Sequence, residues 1–549
     1  MPARERASDR VAGGGVRERV KGESGQWVTL HSRHDPAGEA ARAVESLKVG
    51  EGAVPVLLGG LGYWASALRA RTPESVPVVV VERDPDLWAE ASGRLADLEG
   101  IEAVVGRDPS SVLDTVDRIR IAAGLASVAV VRHPPSVSAW PSYYGPIDEA
   151  LSKRATSPVK KAFDYPKFAA EKVRVIVLST GYFLEREVSR AFEEAGHEAV
   201  NLPAGKGAPD VLKALLSLGA GFKPDFILSF NHLGFDEGGI LAGVLDSLRV
   251  PVAVWYVDSP ALVLRGRNEN AKGNAAVFLW DMSHAPAMRE LGFDRVEFLP
   301  LAADLATAVG GKWRGRRPPP AAFVGNSMTL PVADWESRIA WTEEMRALTE
   351  RVRGRLVGGR PRALAEELLR EEGLGEGERF FDIAGAVTWR ATLEYRAGIA
   401  RVVGGCGGAV FGDPGWEKVL GSVDLRPPVH YERELPALYR AVPVNVNATS
   451  LQMPRAVNQR AFDVPAAGGF LLTDDQPDLH DLFDVGREAA AFSSPEDLRE
   501  KIAWFQARPE ERERIVQAGH ERVRRDHTYG HRVRTLIESM RRFAREEMV

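Results

Sequence analysis

The feature that most constrains this chain is a recurring alternation over most of its 549 residues: short Val, Ile and Leu runs separated by helix-length amphipathic stretches. Uninterrupted apolar runs of this length read as strands buried on both faces. Strands that alternate with helices require a parallel sheet covered on each side. In the first block VPVLLGGLGYWASAL (54–68) reads as strand, glycine turn and helix, VPVVVVERDP (76–85) as a second strand, and IEAVVG and ASVAVVRHPP as two more. The second opens with KVRVIVLSTGYFLEREVSRAFEEAGHEAVNLP and continues through PDFILSF, PVAVWYVD, AAVFLWD and VEFLP; the third contains AAFVGN, GAVFGDPGW, VPVNVNA and GGFLLTDD.

The breaks between blocks give the domain plan. Residues 1–26 are charged, without an apolar run, and are expected as a flexible tail. A Rossmann-like domain covers 27–150, and the basic, proline-containing stretch 151–172 is expected as a linker. One lobe covers 173–310, GKWRGRRPPP (311–320) is a hinge that supports neither helix nor central strand, a second lobe covers 321–530, and 531–549 is a terminal helix.

With 71 Lys plus Arg against 76 Asp plus Glu, the net charge of −5 argues against a nucleic-acid partner. The lone cysteine, Cys406, excludes an intrachain disulfide and suits a reducing compartment. The longest apolar stretch, 53–68, is broken by Gly59, Gly60 and Gly62 and is too short to span a bilayer. A cytoplasmic protein without a membrane span is expected. The histidines have no metal-site spacing, and His480, His520, His527 and His531 are expected to be solvated.

The segment LQMPRAVNQRAFDVPAAGGFLLTDDQPDLHDLFDVGREAAAFSSPEDLREKIAWF resembles the C-terminal lobe of GT-B glycosyltransferases of the CgeB-like (spore maturation protein B) type. VWYVDSP (254–260), FLWD (278–281) and FLPLAAD (298–304) resemble the same family's N-terminal lobe, so the similarity covers about residues 171–530. The family's R-x-F-E pattern appears as Arg460, Ala461, Phe462 and Asp463, followed by Gly468 and Gly469, with Asp463 in the place of the usual Glu. The resemblance implies two facing Rossmann-like lobes (GT-B), here preceded by an additional Rossmann-like domain. It also implies a metal-independent, hexosyltransferase-like enzyme with no required cofactor, moving sugar from a nucleotide-diphosphate donor to a hydroxyl on a protein or cell-surface polysaccharide. The Ala/Arg bias has a bacterial cast.

On the donor side, a strand ending near Asn447, polar Thr449 and Ser450, and Pro454 at a helix start offer the amides that open α/β sheets present to phosphates. Arg455, Asn458 and Arg460 follow. Arg455 and Arg460 are read on one helix, about 140° apart around its axis at 100° per residue. Arg460 is favoured to stabilise the departing diphosphate. Asp463 would hold the ribose, or pair with Arg460 on the surface. Gly468 and Gly469 either admit the ligand or cap a helix. Asp474 and Asp475 are read as a strand-end turn, with no metal. On the acceptor side Gly181, Tyr182 and Asn231 line the crevice, and His232 or Asp258 takes the acceptor's proton. Tyr182 could equally pack, His232 could be an ordinary turn residue, and Asp258 could cap a helix.

In the first block LLGGLGYW, with Glu82 about twenty residues on, suits an adenosine cofactor and is weakly similar to S-adenosylmethionine-dependent methyltransferases; the favoured alternative is docking or acceptor recognition, for which RHPPSVSAWPSYYGP (132–146) offers aromatics. Two rivals to the transferase reading follow: fusion to a working methyltransferase, or a catalytically silent scaffold.

Overall fold

The structure, a computed structural model, describes residues 7–547 apart from 11–15, 33, 46, 48–52, 94–98, 126, 156–161, 182–183, 206–207, 312, 314, 316, 360–361, 376 and 378. The first domain begins with a three-stranded antiparallel sheet of β1 (Ala7–Arg10), β2 (Val16–Lys21) and β3 (Trp27–Thr29). The segment expected as a flexible tail therefore supplies two strands. Val20 of the second strand is buried in the domain core, which gives that strand an inward-facing anchor. Behind it lies a parallel sheet of β4 (Ala53–Leu58), β5 (Val78–Glu82), β6 (Ile101–Val105) and β7 (Ser127–Arg132), in the order β6-β5-β4-β7.

The expected linker is also largely built into the fold. Helix Pro141–Ala155 carries Leu151 into the first core. Phe163 is buried in the core of the next lobe, the Tyr165 hydroxyl donates to the Pro224 carbonyl at 2.6 Å, and the Phe168 amide donates to Asp225 at 2.6 Å. Its aromatic residues have apolar area to bury, which outweighs the local proline and lysine content.

The N-terminal lobe is a six-stranded parallel sheet of β8 (Arg174–Ser179), β9 (Glu198–Pro203), β10 (Phe226–Phe230), β11 (Val252–Tyr256), β12 (Ala275–Leu279) and β13 (Arg295–Phe298), ordered β13-β12-β11-β10-β8-β9. The C-terminal lobe is a second such sheet, of β14 (Ala321–Val324), β15 (Ala409–Phe411), β16 (Asp424–Arg426), β17 (Val444–Asn447), β18 (Leu471–Asp474) and β19 (Ala490–Phe492), ordered β16-β15-β14-β17-β18-β19. Strands β8, β10, β11 and β12, and the triplet β14, β15 and β17, have few or no exposed positions, as buried parallel strands require. Two Rossmann-like lobes facing each other form the GT-B arrangement, with a third α/β domain before them.

Between β14 and β15 the chain inserts helices Thr329–Ser337, Glu343–Gly358, Ala365–Glu371 and Phe380–Gly405, with a core that includes Val352, Leu369 and Ile383. This insertion reaches the N-terminal lobe through an Arg265–Asp382 ion pair at 2.8 Å. Helix Tyr529–Glu547 returns to the N-terminal lobe: Arg532 donates to the Leu301 carbonyl at 2.9 Å, and Val533 and Leu536 share a core with Val188 and Phe192. Among the described residues no helix is long and apolar enough to cross a membrane.

Candidate active site

In the C-terminal lobe the chain moves outward from β14 to β15 and β16, then restarts at β17 and moves the other way. This reversal opens a crevice at the carboxyl ends of β14 and β17, where open α/β sheets hold their ligands. Arg460, the first residue of helix Arg460–Ala466, lies there. A Cβ added at Gly325, just past β14, would sit 3.1 Å from the Arg460 Nη2, so glycine permits that approach. The loop beyond is fixed by Asp413, which accepts from the Ser327 amide at 2.6 Å and the Ser327 hydroxyl at 2.7 Å.

Arg396, from the long helix Phe380–Gly405, joins Arg460 in this crevice. It is 6% exposed, its Nε has no hydrogen-bond partner, and its Nη1 reaches only the Asn326 carbonyl, at 3.4 Å. Burial and the neighbouring Arg460 charge push the Arg396 guanidinium down to about 9. Among the described residues neither arginine is ion-paired. Two adjacent cations, one buried with an idle donor, repel each other and suit an anion of more than one charge. Arg396→Met keeps the apolar volume and removes the repulsion, so it should raise Tm while weakening anion binding; thermal unfolding and titration on one preparation check both.

Sequence spacing gives no sign of Arg396, which lies on a different helix far upstream of the motif. It also misplaces Arg455. Residues 451–459 are not helical, because the amides of Arg455 and Ala456 both donate to Asp281 of the other lobe at 2.9 Å. The Arg455 side chain pairs with Asp478 at 3.1 Å, away from Arg460. Asn447, Ser450 and Asn458 are buried braces: Asn447 donates to Thr473 at 2.9 Å and accepts from Asn458 at 3.0 Å, and Ser450 meets Thr392 at 3.4 Å. Gly468 and Gly469 cap the far end of the Arg460 helix, with Gly468 at φ +76°, and enter β18 at its amino end, opposite the crevice. Of the two readings, they take the capping one.

Asp463 is half-buried, accepting from the Tyr431 hydroxyl at 2.9 Å and from Gln459 at 2.7 Å. It lines a small crevice with Asp304, Thr307, Tyr431, Leu435 and Tyr439, so it is no surface partner of Arg460. Burial pushes its carboxyl up to about 7. The folded chain then holds this proton where the unfolded chain has lost it, so this group's contribution to stability falls as pH rises from the ordinary aspartate range through about 7. Asp463→Asn should flatten that part of a stability-against-pH curve measured by urea unfolding.

Asp474 accepts from the Thr449 amide and hydroxyl at 3.1 and 2.8 Å, from the Tyr395 hydroxyl at 3.2 Å and from Arg362 at 2.9 Å, making it a structural hub. Among the described residues no group of three or more His, Cys, Asp or Glu is arranged to hold a metal ion.

In the N-terminal lobe the corresponding reversal lies between β8 and β10. Gly181 is exposed there at φ +88°, and Tyr182 lies outside the described residues. Glu185 accepts from the Gly181 and Thr180 amides at 3.0 and 2.7 Å, so these two amides are occupied by the protein's own carboxylate. Asn231 turns the chain at φ +50°, and its side-chain oxygen accepts from the Val257 amide at 2.9 Å.

His232 does not reach the crevice. Its Nδ1 meets the Tyr256 hydroxyl, its ring packs among Phe235, Tyr256 and Phe293, and burial pushes it down to about 3, a poor proton acceptor at neutral pH. Ser259, not Asp258, is the N-cap of the helix that follows, and Asp258 is not a lone base. Its Oδ2 accepts from Asn231 at 2.9 Å and its Oδ1 from Gln452 of the other lobe at 3.2 Å. Gln452 also accepts from the Ser259 amide at 3.0 Å and from His284 Nε2 through its carbonyl at 3.1 Å. Of the histidines expected to be solvated, His480 is exposed, whereas His527 is buried against the Leu482 carbonyl at 2.8 Å.

The segment that supplies both arginines and the β17–β18 region is also the one with a recognisable relationship. Residues 389–538 match the family model described as glycosyl transferase-like. This glycosyl transferase-like segment starts within the helix of Arg396 and ends within the last helix. No curated protein matches the chain. Among solved structures, a sucrose-phosphate synthase from Thermosynechococcus elongatus is similar at 10% identity and TM-score 0.41, over 68% of this chain and 99% of that one. An α,α-trehalose-phosphate synthase (UDP-forming) from Burkholderia vietnamiensis is similar at 12% identity and TM-score 0.36, over 68% and 99%. T4 phage BGT, solved with its UDP-glucose substrate, is similar at 8% identity and TM-score 0.35, over 69% and 100%.

Proposed function

We propose that the chain is a glycosyltransferase of the CgeB-like type, moving a hexose from a nucleotide-diphosphate donor to a hydroxyl on a protein or cell-surface polysaccharide. The observation that carries this reading is the pair Arg396 and Arg460, un-ion-paired among the described residues at the β14–β17 crevice of a glycosyl transferase-like segment. In the reaction the acceptor oxygen bonds to the sugar's anomeric carbon and loses its proton. The bond from that carbon to the diphosphate breaks, and its electron pair leaves with the nucleotide. Arg396 and Arg460 meet the charge that develops there, an interaction stronger in the transition state than in the bound donor. Two fixed cations supply this charge without a metal and without a further cofactor. The lone Cys406 suits action in the cytoplasm.

Release of free nucleotide from a panel of UDP- and GDP-sugars, with and without EDTA, tests the proposal. At least one donor should turn over, at the same rate in both. A panel with no turnover, with nucleotide still bound, would favour the silent scaffold.

A further inference from the structure

The first domain carries the same kind of strand reversal, between β4 and β7, and the glycine turn 59–62 lies at its carboxyl end. We infer that this crevice is filled from within by helices Pro134–Ala139 and Pro141–Ala155, and that the domain is a docking block on the N-terminal lobe and not a second enzyme.

Each feature that suits an adenosine cofactor is already engaged by the chain itself. A Cβ at Gly59, where φ is +84°, would lie 2.3 Å from the Ser136 Cβ, and one at Gly62, at φ +85°, would lie 3.0 Å from the Ala91 carbonyl oxygen. The glycines thus admit the protein's own helices, where a cofactor-binding turn needs them for a pyrophosphate. Glu82 ends β5 in the position that holds ribose in such folds, yet it is 3% exposed. Its Oε1 accepts from the Tyr144 hydroxyl at 3.2 Å and the Asp84 amide at 3.1 Å. The Tyr144 hydroxyl also accepts from the Arg83 amide at 3.3 Å. A tyrosine hydroxyl therefore stands where a ribose hydroxyl would. Stacked His31 and His133, 4.8 Å apart, with Trp64 edge-on to His133 at 5.3 Å, fill the space beside the turn. On the outside, Ile240 packs against this domain's core. Ile240 starts the helix that follows β10 and the Asn231 turn, which sets the domain against the acceptor side of the lobe.

The intact chain, in an Arg460→Ala background that weakens the C-terminal anion site, is titrated calorimetrically with S-adenosylmethionine and with NAD. No saturable binding is expected for either. In parallel, Gly59→Ala should lower Tm. Adding Ser136→Gly should recover part of the loss, because the side-chain clash disappears while the positive-φ strain stays. Saturable binding of either cofactor that Glu82→Gln abolishes would overturn the inference, as would a double variant with no recovery.

Discussion

Arg460→Ala should lower turnover of a confirmed donor roughly a hundredfold or more, the usual loss when one preorganised electrostatic stabiliser is removed. The Michaelis constant should move much less, because the leaving diphosphate gains charge as the glycosidic bond breaks. Arg455→Ala is the control. Its side chain pairs with Asp478 and its backbone with Asp281, so the two variants should differ widely in steady-state turnover despite their closeness in sequence. Circular dichroism on each separates lost folding from lost chemistry.

The largest stability effect should come from Arg362→Ala. The Arg362 and Asp474 side chains are 4% and 0% exposed, and together they tie the helical insertion to the end of β18. Removing the guanidinium strands a buried carboxylate, at a cost of about 3–5 kcal/mol. The Thr449 loop should loosen as well, since its amide and hydroxyl bond to the same aspartate. The double variant Arg362→Met/Asp474→Asn leaves no orphaned charge, keeps an acceptor for the Thr449 amide and hydroxyl, and should lose less in a urea titration. Similar losses in both would mean that packing, not charge, holds this junction.

The layered architecture was legible because buried parallel strands need continuous apolar runs, and VPVVVV, KVRVIVLS and PVAVWYV cannot be placed in any exposed element. The motif singles out Arg460 and not Arg396, because Arg396 arrives on another helix and only the folded sheet brings the two together. Asn447, Asn458 and Ser450 have the residue types of a binding site, but local sequence cannot tell a polar group facing a ligand from one bracing a loop. The failure at Arg455 has a similar origin. Pro454 is a good helix start by local rules, yet Asp281, from the opposite lobe, takes the amides that a first turn would leave free. His232 and Asp258 do lie near strand ends, and what sequence could not reveal was the Tyr256 hydroxyl and the Gln452 amide that occupy them. In the first domain the glycine and Glu82 spacing was visible, and the Tyr144 and Ser136 contacts that fill the crevice were not.

Calorimetric titration with UDP and GDP, of the parent chain and of Arg396→Met, tests most directly whether the β14–β17 crevice is a diphosphate site. Saturable binding of at least one nucleotide is predicted for the parent. It should weaken about tenfold or more in Arg396→Met, since a hydrogen bond to a charged group contributes roughly 1.5–3 kcal/mol. Equal affinity in the two proteins, or no binding of either nucleotide to the parent, would contradict the placement of the donor between these arginines.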